Sequence, residues 1–244
     1  MNTQHIVSSF NDDLNRMESL LLEMGGLVEQ QLLEATHALR KEDRVRAKKV
    51  LKGDKRINKL EAELNEEAIK ILALRQPVAA DLRNVVMTLK MASHLERIGD
   101  YTKNMARRTN TITKAEAFTG SIGTLVRMSE LVQSMIKSAL DAYNRRDTEA
   151  AQDIRSADEG VDQMHNTLFR ELLTYMMEDV RNISGCMHLL FIAKNIERMG
   201  DHVADIAQEI IFLVTGEWPE GKRPKGDETS KIIIEPDDIK NEQA

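Results

Sequence analysis

The sequence contains few of the residues that cross-link, break or stiffen a chain. Among 244 residues there are one cysteine, Cys186, 4 prolines and 12 glycines, and aromatic residues make up 4%. A single cysteine cannot form an internal disulfide, so the sequence predicts a reducing, cytosolic setting. The scarcity of helix breakers, together with 13 methionines and 30% charged residues, is typical of a mostly helical soluble protein.

Long apolar runs and an excess of positive charge are also missing. The longest uninterrupted apolar run, residues 210–214, is far shorter than the roughly 18 residues that suggest a membrane span. The N-terminus does not have the basic and then apolar pattern of a signal peptide. The net charge of −6, with no basic stripe, argues against nucleic-acid binding. We therefore expect a cytoplasmic protein without membrane insertion, whose partners are proteins or metal ions.

Apolar residues recur at the three- and four-residue spacing of an amphipathic helix. The first predicted helix shows this most clearly, with Phe10, Leu14, Met17, Leu21, Met24, Val28, Leu32, Ala35 and Leu39 on one stripe. Gly25 and Gly26 interrupt the stripe without changing its phase. We interpret the two glycines as a close helix crossing rather than a kink.

The helical pattern occurs twice. Three predicted helices precede a segment rich in threonine and glycine, and three follow it. This predicts an all-α fold, a tandem repeat of two antiparallel three-helix bundles. We expect residues 8–110 to form the first repeat, 111–123 the linker and 124–215 the second repeat. Residues 216–244 hold three of the four prolines and no helical period, so we expect a mobile C-terminal tail.

A five-residue motif marks the duplication. Glu96-Arg97-Ile98-Gly99-Asp100 returns as Glu197-Arg198-Met199-Gly200-Asp201. In each copy, the glutamate and the aspartate are four residues apart and so share one helix face. Glycine inside a helix costs about 1 kcal/mol relative to alanine. Two such glycines at equivalent positions indicate that another group approaches the helix backbone closely there.

The repeated carboxylates are candidate metal ligands. Further oxygen donors occur on the preceding helix of each repeat and one turn after each motif. The complete set is Glu96, Asp100, Glu197, Asp201, Asp54, Asp158, Asn58, Asp162, Asn104 and Asp205. Oxygen-rich sets of this kind suit magnesium, calcium or manganese, and also iron. The alternative is two solvated acidic faces, balanced by Arg97 and Arg198, that bind no ion.

The histidines point less clearly to a site. Glu34-x-x-His37 has the spacing used by di-iron carboxylate bundles, but such bundles need the motif from two helices and this sequence has one copy. We interpret His37 as a surface residue. His202 follows Asp201 in the second repeat only, since Tyr101 takes its place in the first. We treat His202 as a residue that could support the ligands.

Several segments together resemble the PhoU family of bacterial regulators of phosphate uptake. They are residues 24–29, 75–77, 81–83, 173–179 and the two repeated motifs, and the resemblance covers about residues 5 to 215. It implies a PhoU-like fold of two similar three-helix bundles, usually in a homodimer. It also implies that both motifs hold a divalent or multinuclear metal, with iron, manganese or magnesium as the candidates.

The resemblance further implies a cytoplasmic adaptor that is not an enzyme. Such an adaptor acts with the ATPase and membrane components of an ABC-type phosphate transporter and with a phosphate-sensing histidine kinase. It is a negative regulator, which holds the phosphate-starvation response and phosphate uptake in check when phosphate is plentiful. Its partners would recruit it to the inner face of the membrane. The segment 141–147 resembles the kinase-contact region of the family, with Asp141, Asn144, Arg145 and Asp147 as candidate partner-binding residues. Asn144 replaces the usual alanine.

A rival hypothesis is a carboxylate-ligated metalloenzyme with redox or hydrolytic activity. Such an enzyme needs an open coordination position and usually has histidine ligands. The repeated acidic positions contain no histidine, which counts against it.

Overall fold

The computed structural model describes residues 3–112, 118–221 and 225–229, with side chains from Phe10 onward. Within these ranges the chain forms six α-helices and a short 3₁₀ helix, and no strand occurs. The helices are α1 (Thr3–Lys41), α2 (Arg44–Arg75), α3 (Ala79–Thr109), α4 (Thr119–Arg145), α5 (Thr148–Glu178) and α6 (Ile183–Thr215), with the 3₁₀ helix at Val180–Asn182. No helix in the described part of the chain could cross a bilayer.

Helices α1–α3 form one antiparallel bundle and α4–α6 form another. The hydrogen bond between Arg56 and Glu23 joins α2 to α1, and Lys103 joins α3 to α2. Ser121 of α4 donates to Glu171 of α5. The predicted all-α tandem of two three-helix bundles is therefore confirmed.

The predicted apolar stripe of α1 lies in the core. Met17, Leu21, Met24, Val28, Leu32, Ala35 and Leu39 are each no more than 2% exposed. Gly25 lies against α4 so closely that a side chain at this position would collide with Leu140. Helix α1 runs unbroken through Gly25 and Gly26. Gly25 therefore marks a helix crossing and not a kink, as predicted, whereas a Cβ atom on Gly26 would meet nothing within 4 Å.

The two bundles pack against each other through two antiparallel helix pairs. Helix α1 lies against α4, and α3 lies against α6. Near one end of the α3–α6 pair, Arg83 donates to the carbonyl of Leu213; near the other, Arg108 contacts His188. This arrangement places His94 of the first repeat beside His202 of the second.

An aspartate side chain caps the start of the second helix in each repeat. The carboxylate of Asp43 accepts from the amides of Val45 and Arg46 at the start of α2. Asp147 accepts from the amide of Ala150 at the start of α5. Both residues are helix N-caps, which satisfy backbone amides that have no partner within the helix.

The helix boundaries differ from the predicted domain boundaries at two places. Helix α1 begins at Thr3 rather than near residue 8, and α4 begins at Thr119, inside the predicted linker 111–123. Ser121 is fully buried and hydrogen-bonded to Glu171 of α5. This tertiary contact outweighs the glycine- and threonine-rich composition on which the linker was based. Residues 113–117 of the predicted linker lie outside the described residues.

The predicted mobile tail packs against the helices at two places in the described part of the chain. Trp218 stacks on Phe212 with ring centroids 4.2 Å apart, and Lys90 lies over the indole ring. Residues 225–229 lie against α5 and α6. Polar side chains of the second repeat pair with this segment, a relationship that helical periodicity cannot indicate. Residues 222–224 and 230–244 of the tail lie outside the described residues.

Candidate functional site

In the first repeat, the predicted carboxylates converge across the interface between α2 and α3. Asp54 of α2 is 4% exposed. The ammonium of Lys103, on α3, lies 2.5 Å from Oδ2 of Asp54 and 3.4 Å from Oδ1 of Asp100. A lysine of the chain thus lies between two of the predicted ligands. Oδ1 of Asp54 is buried without a hydrogen-bond partner.

Glu61 also belongs to this cluster, although it was not among the predicted metal ligands. Burial raises the pKa of Glu96, and the neighbouring charges of Asp100 and Glu61 raise it further. Burial likewise raises the pKa of Glu61, against the effect of Arg97. Glu61 follows Asp54 by seven residues, almost two full turns at 3.6 residues per turn, so both lie on one face. This spacing could have identified it.

Two predicted ligands of the first repeat lie away from the buried carboxylates. The side chain of Asn58 is exposed on α2. Asn104 accepts a hydrogen bond from Arg107, 3.4 Å away. Both residues stay predicted ligands, and Asn104 has Arg107 as a partner in this structure.

In the second repeat, the corresponding carboxylates are more deeply buried. Asp158 and Asp162 of α5 are 1% and 2% exposed, and Glu197 of α6 is 4% exposed. The ammonium of Lys194 lies 2.8 Å from Oε2 of Glu197. Burial raises the pKa of Glu197, and the hydrogen bond from Lys194 opposes this change. Each cluster therefore contains a lysine, but Lys194 and Lys103 do not occupy equivalent positions in the two repeats.

The segment 225–229, which we call the docking segment, covers the second cluster. The amide of Gly226 donates to Oδ2 of Asp162 over 2.7 Å. Asn166 donates to the carbonyl of Gly226 and accepts from the amide of Glu228. Asn166 therefore holds the docking segment by two backbone hydrogen bonds. Asp162 is buried while Asn58, its counterpart in the first repeat, is exposed, because the docking segment covers only the second repeat.

Charged side chains reinforce the docking. Oδ2 of Asp227 lies 2.8 Å from the ammonium of Lys194, and Lys225 lies 3.5 Å from Asp201. Burial by itself raises the pKa of Asp227, but hydrogen bonds from Lys194 and Thr229 outweigh it and hold the pKa well below its usual range. Asp227 is therefore ionised near neutral pH.

The repeated glycines mark close approaches between helices. A Cβ atom on Gly200 would lie 2.6 Å from Oδ1 of Asp158. On Gly99 it would meet Ile57 at 3.3 Å. The group that approaches each glycine is thus a side chain of the preceding helix, as the motif predicted in general terms. Only in the second repeat is that group one of the candidate ligands.

The chemistry of both clusters fits a hard cation. The first offers carboxylates of Asp54, Glu61, Glu96 and Asp100, and the second those of Asp158, Asp162, Glu197 and Asp201. The buried Oδ1 atom of Asp54, which has no hydrogen-bond partner, is an acceptor of the kind that a cation satisfies. A metal ion would compete with Lys103 in the first cluster. In the second it would compete with Lys194 and the docking segment.

The predicted ligand Asp205 lies apart from the carboxylates of the second cluster. Its carboxylate is grouped with the imidazoles of His94 and His202, with the ligand atoms within 4.8 Å of one another. The equivalence of Asp205 and Asn104 in sequence therefore does not extend to their surroundings.

The candidate partner-binding residues lie at the end of α4. Asp141, Asn144 and Arg145 are exposed. Asp141 and Arg145 line a groove of about 260 Å³ between α4 and α5. Asp147 is half-buried and caps α5, so its carboxylate also has a structural role.

Comparisons with known proteins agree with this architecture. The PhoU domain family matches residues 21–109 and 125–210, one match in each repeat. A Caulobacter vibrioides protein named phosphate-specific transport system accessory protein PhoU homolog is 42% identical over 229 residues, which cover 94% of this chain and 100% of that protein. A protein of the same name from Rhizobium meliloti is 43% identical over 232 residues, which cover 95% of this chain and 98% of that protein.

Solved structures show the same similarity. The crystal structure of PhoU from Pseudomonas aeruginosa aligns with a TM-score of 0.79 at 38% identity, covering 85% of this chain and 100% of that one. The phosphate transport system regulatory protein PhoU from Streptococcus pneumoniae aligns with a TM-score of 0.79 at 28% identity, covering 86% and 99%.

Proposed function

The chain belongs to the PhoU family, and we propose that it is an accessory protein of a phosphate-specific transport system that restrains phosphate uptake and the phosphate-starvation response. The observation that carries this proposal is the similarity of both repeats, over 94% of the chain, to a relative named as a phosphate-specific transport system accessory protein. The similarity extends over the whole of that relative, so it is not confined to a shared domain.

Within this role, we propose that the protein is a cytoplasmic adaptor between an ABC-type phosphate transporter and a phosphate-sensing histidine kinase. An adaptor needs separate surfaces for separate partners. The groove between α4 and α5 combines Asp141, Arg145 and Asp153 with apolar Leu131 and Ile154, and we assign it to the kinase. Mixed polar and apolar lining of this kind is typical of protein interfaces.

Exposed apolar side chains cluster at two helix turns, which we call the apolar tips, and both are further candidate binding surfaces. Leu74, Val78 and Leu82 are exposed around the turn between α2 and α3. Met177, Val180, Ile183 and Met187 are exposed around the turn between α5 and α6. Because α3 and α6 are antiparallel, the two tips lie at opposite ends of that helix pair. Clustered apolar side chains at a surface favour protein contacts, which supports binding to the transporter and a homodimer.

We also propose that both carboxylate clusters bind a divalent or multinuclear metal, such as iron, manganese or magnesium. In the first repeat the bound metal would replace Lys103 as the positive charge between α2 and α3, and in the second it would compete with Lys194, which pairs Glu197 with Asp227. Its role would then be to stiffen the bundle and set the charge of its acidic face. The relatives are named as accessory proteins, so nothing in the comparisons favours the metalloenzyme alternative.

The proposed role is tested by affinity purification from the native cell, grown in high and in low phosphate. We expect the wild-type chain to recover the phosphate transporter and the sensor kinase. Arg145→Glu reverses a charge in the α4–α5 groove and should lose the kinase while keeping the transporter. Arg127→Glu, at an exposed position nearer the start of α4, is the matched control and should keep both. Recovery of neither partner by the wild-type chain would refute the adaptor role.

A further inference from the structure

A pair of histidines meets at the interface between the two repeats. The Nδ1 atoms of His94, on α3, and His202, on α6, are 2.8 Å apart. Their ring centroids are 5.1 Å apart with an interplanar angle of 49°. The carboxylate of Asp205, one turn after His202 along α6, completes a group whose ligand atoms all lie within 4.8 Å. Each repeat contributes to this group, in contrast to the two carboxylate clusters.

A buried carboxylate lies against Nε2 of His94, the ring nitrogen that does not contact His202. Nε2 of His94 lies 3.3 Å from Oε1 of Glu209, and Glu209 is only 5% exposed. When Nε2 carries the proton that faces Glu209, Nδ1 of a neutral imidazole has a lone pair directed toward His202. Metal-binding histidines commonly donate their second ring N–H to a carboxylate in this way. Oε2 of Glu209 has no hydrogen-bond partner, so its remaining acceptor capacity is unused.

His202 and Asp205 are reached from solvent through a cavity. His202 and Asp205 line an open cavity of about 620 Å³, together with Tyr101 and Arg198. The Tyr101 ring stacks on His202 with centroids 5.7 Å apart and planes inclined by 24°. This stacking restricts the imidazole orientation. The cavity provides an entry path for an ion and room for a water molecule as a further ligand.

We propose that His94, His202 and Asp205 form a binding site for a borderline transition-metal ion of the zinc class, which links the two repeats. Two imidazole nitrogens favour zinc, nickel or copper over the magnesium and manganese that suit the oxygen clusters. Zinc bonds to nitrogen and oxygen are about 2.0–2.2 Å long. Small rotations of the three side chains bring their ligand atoms to such distances. Glu209 acts as the positioning residue for His94.

Two neutral imidazoles can bind a metal ion at this site without releasing a proton, because a neutral imidazole has one nitrogen lone pair. In the tautomer of His94 that carries its proton on Nε2, Nδ1 of His94 accepts from the Nδ1–H of His202. On binding, the proton of His202 moves to its Nε2, and both Nδ1 lone pairs face the ion. In the apo protein, the same residues form a polar network that joins α3 to α6.

The sequence offered little sign of this site. His94 and His202 lie in different repeats, and Tyr101 occupies the first-repeat position equivalent to His202. Duplication therefore does not reveal it. Only the antiparallel packing of α3 on α6 brings the two residues together.

The proposal is tested by titrating the full chain with zinc chloride in excess magnesium, together with copper EPR on the same proteins. His94→Gln and His202→Gln are compared with His37→Gln, which removes a histidine from α1 away from the site. We expect the wild-type chain and the control to bind one zinc ion that magnesium does not displace. Each of the two site variants should weaken this binding roughly tenfold or more, since even second-shell changes cost 10–100-fold.

The copper spectra distinguish nitrogen ligation from binding to the carboxylate clusters. We expect hyperfine coupling to two nitrogens in the wild-type chain and the control, and to one in either site variant. Asp205→Asn serves as a further variant, which keeps the size of the side chain and should also weaken zinc binding. Equal zinc affinity in the site variants and the control, or copper spectra without nitrogen coupling, would overturn the proposal. The result does not depend on any role in phosphate regulation.

Discussion

Gly200 lies directly against Asp158, so that a Cβ atom on Gly200 would sit 2.6 Å from the aspartate Oδ1. This contact explains why the second motif contains glycine, and it ties helix packing to the position of a candidate ligand. In the first repeat, the corresponding neighbour of Gly99 is Ile57, at 3.3 Å. The two glycines therefore carry different constraints.

This difference predicts that substitution by alanine lowers the stability of the protein at Gly200 but not appreciably at Gly99. Gly200→Ala should destabilise the protein by about 1–3 kcal/mol, because Asp158 must move within a packed interface. Gly99→Ala should be close to neutral, since Ile57 can shift slightly and alanine gains about 1 kcal/mol of helix propensity. Urea unfolding followed by circular dichroism measures both. Equal effects of the two substitutions on the free energy of unfolding would contradict the inference that the contact with Asp158 requires glycine at position 200.

Lys103 is expected to act as a built-in substitute for a metal ion. Lys103→Met leaves the buried Asp54 without its cation and should reduce the stability of the metal-free protein by about 1–3 kcal/mol. The same variant should bind manganese more tightly, because no ammonium competes for the carboxylates. Unfolding in chelator and calorimetric titration with manganese measure the two effects.

The matched control for this experiment is Lys52→Met, which removes an exposed lysine from α2. It should change neither stability nor manganese affinity appreciably. If Lys103→Met binds manganese no more tightly than this control, the lysine does not occupy the position of the ion.

The docking segment should respond to pH through Asp227. Its pKa is depressed in the folded protein, so its ionised form stabilises docking. This contribution is complete above the ordinary pKa of about 3.9 and is lost as the pH falls through the depressed folded value. Asp227→Asn should therefore lower the melting temperature at pH 7, and the gap from the wild-type chain should narrow toward pH 3.

Glu228→Gln is the control for the docking segment. Glu228 is exposed, and it contacts Asn166 through its backbone amide rather than its carboxylate. The Glu228→Gln variant should have the same melting temperature as the wild-type chain at every pH. A constant gap between Asp227→Asn and the wild-type chain from pH 7 to pH 3 would contradict the proposed ion pair with Lys194.

Asp147 allows its capping role and its proposed partner role to be separated. Asp147→Ala should cost about 1 kcal/mol of stability, because the first turn of α5 loses its cap. Asp147→Asn retains an acceptor oxygen for the amide of Ala150 and removes only the charge. Urea unfolding should therefore show a loss for alanine and little change for asparagine. If Asp147→Asn also abolishes kinase recovery in the purification above, the charge belongs to the interface.

Some of the candidate site was predictable from local spacing. The repeated motif located Glu96, Asp100, Glu197 and Asp201, and the equivalent positions of Asp54 and Asp158 on the preceding helices of the two repeats located those two residues. Glu61 was missed, although its position seven residues after Asp54 could have revealed it. Asn58 was selected by spacing alone, yet its side chain is exposed, because the docking segment that covers Asp162 lies on the second repeat.

The sequence by itself determined the six helices, their buried stripes and the duplication, because these depend on the 3.6-residue period and on caps formed within a few residues. Only the tertiary structure decided which lysine pairs with which carboxylate, where residues 225–229 dock, and that His94 meets His202. A helical period shows which face of a helix is buried, but it does not show which residue of another helix lies opposite. Those pairings follow from helix crossing, register and the antiparallel contact between repeats.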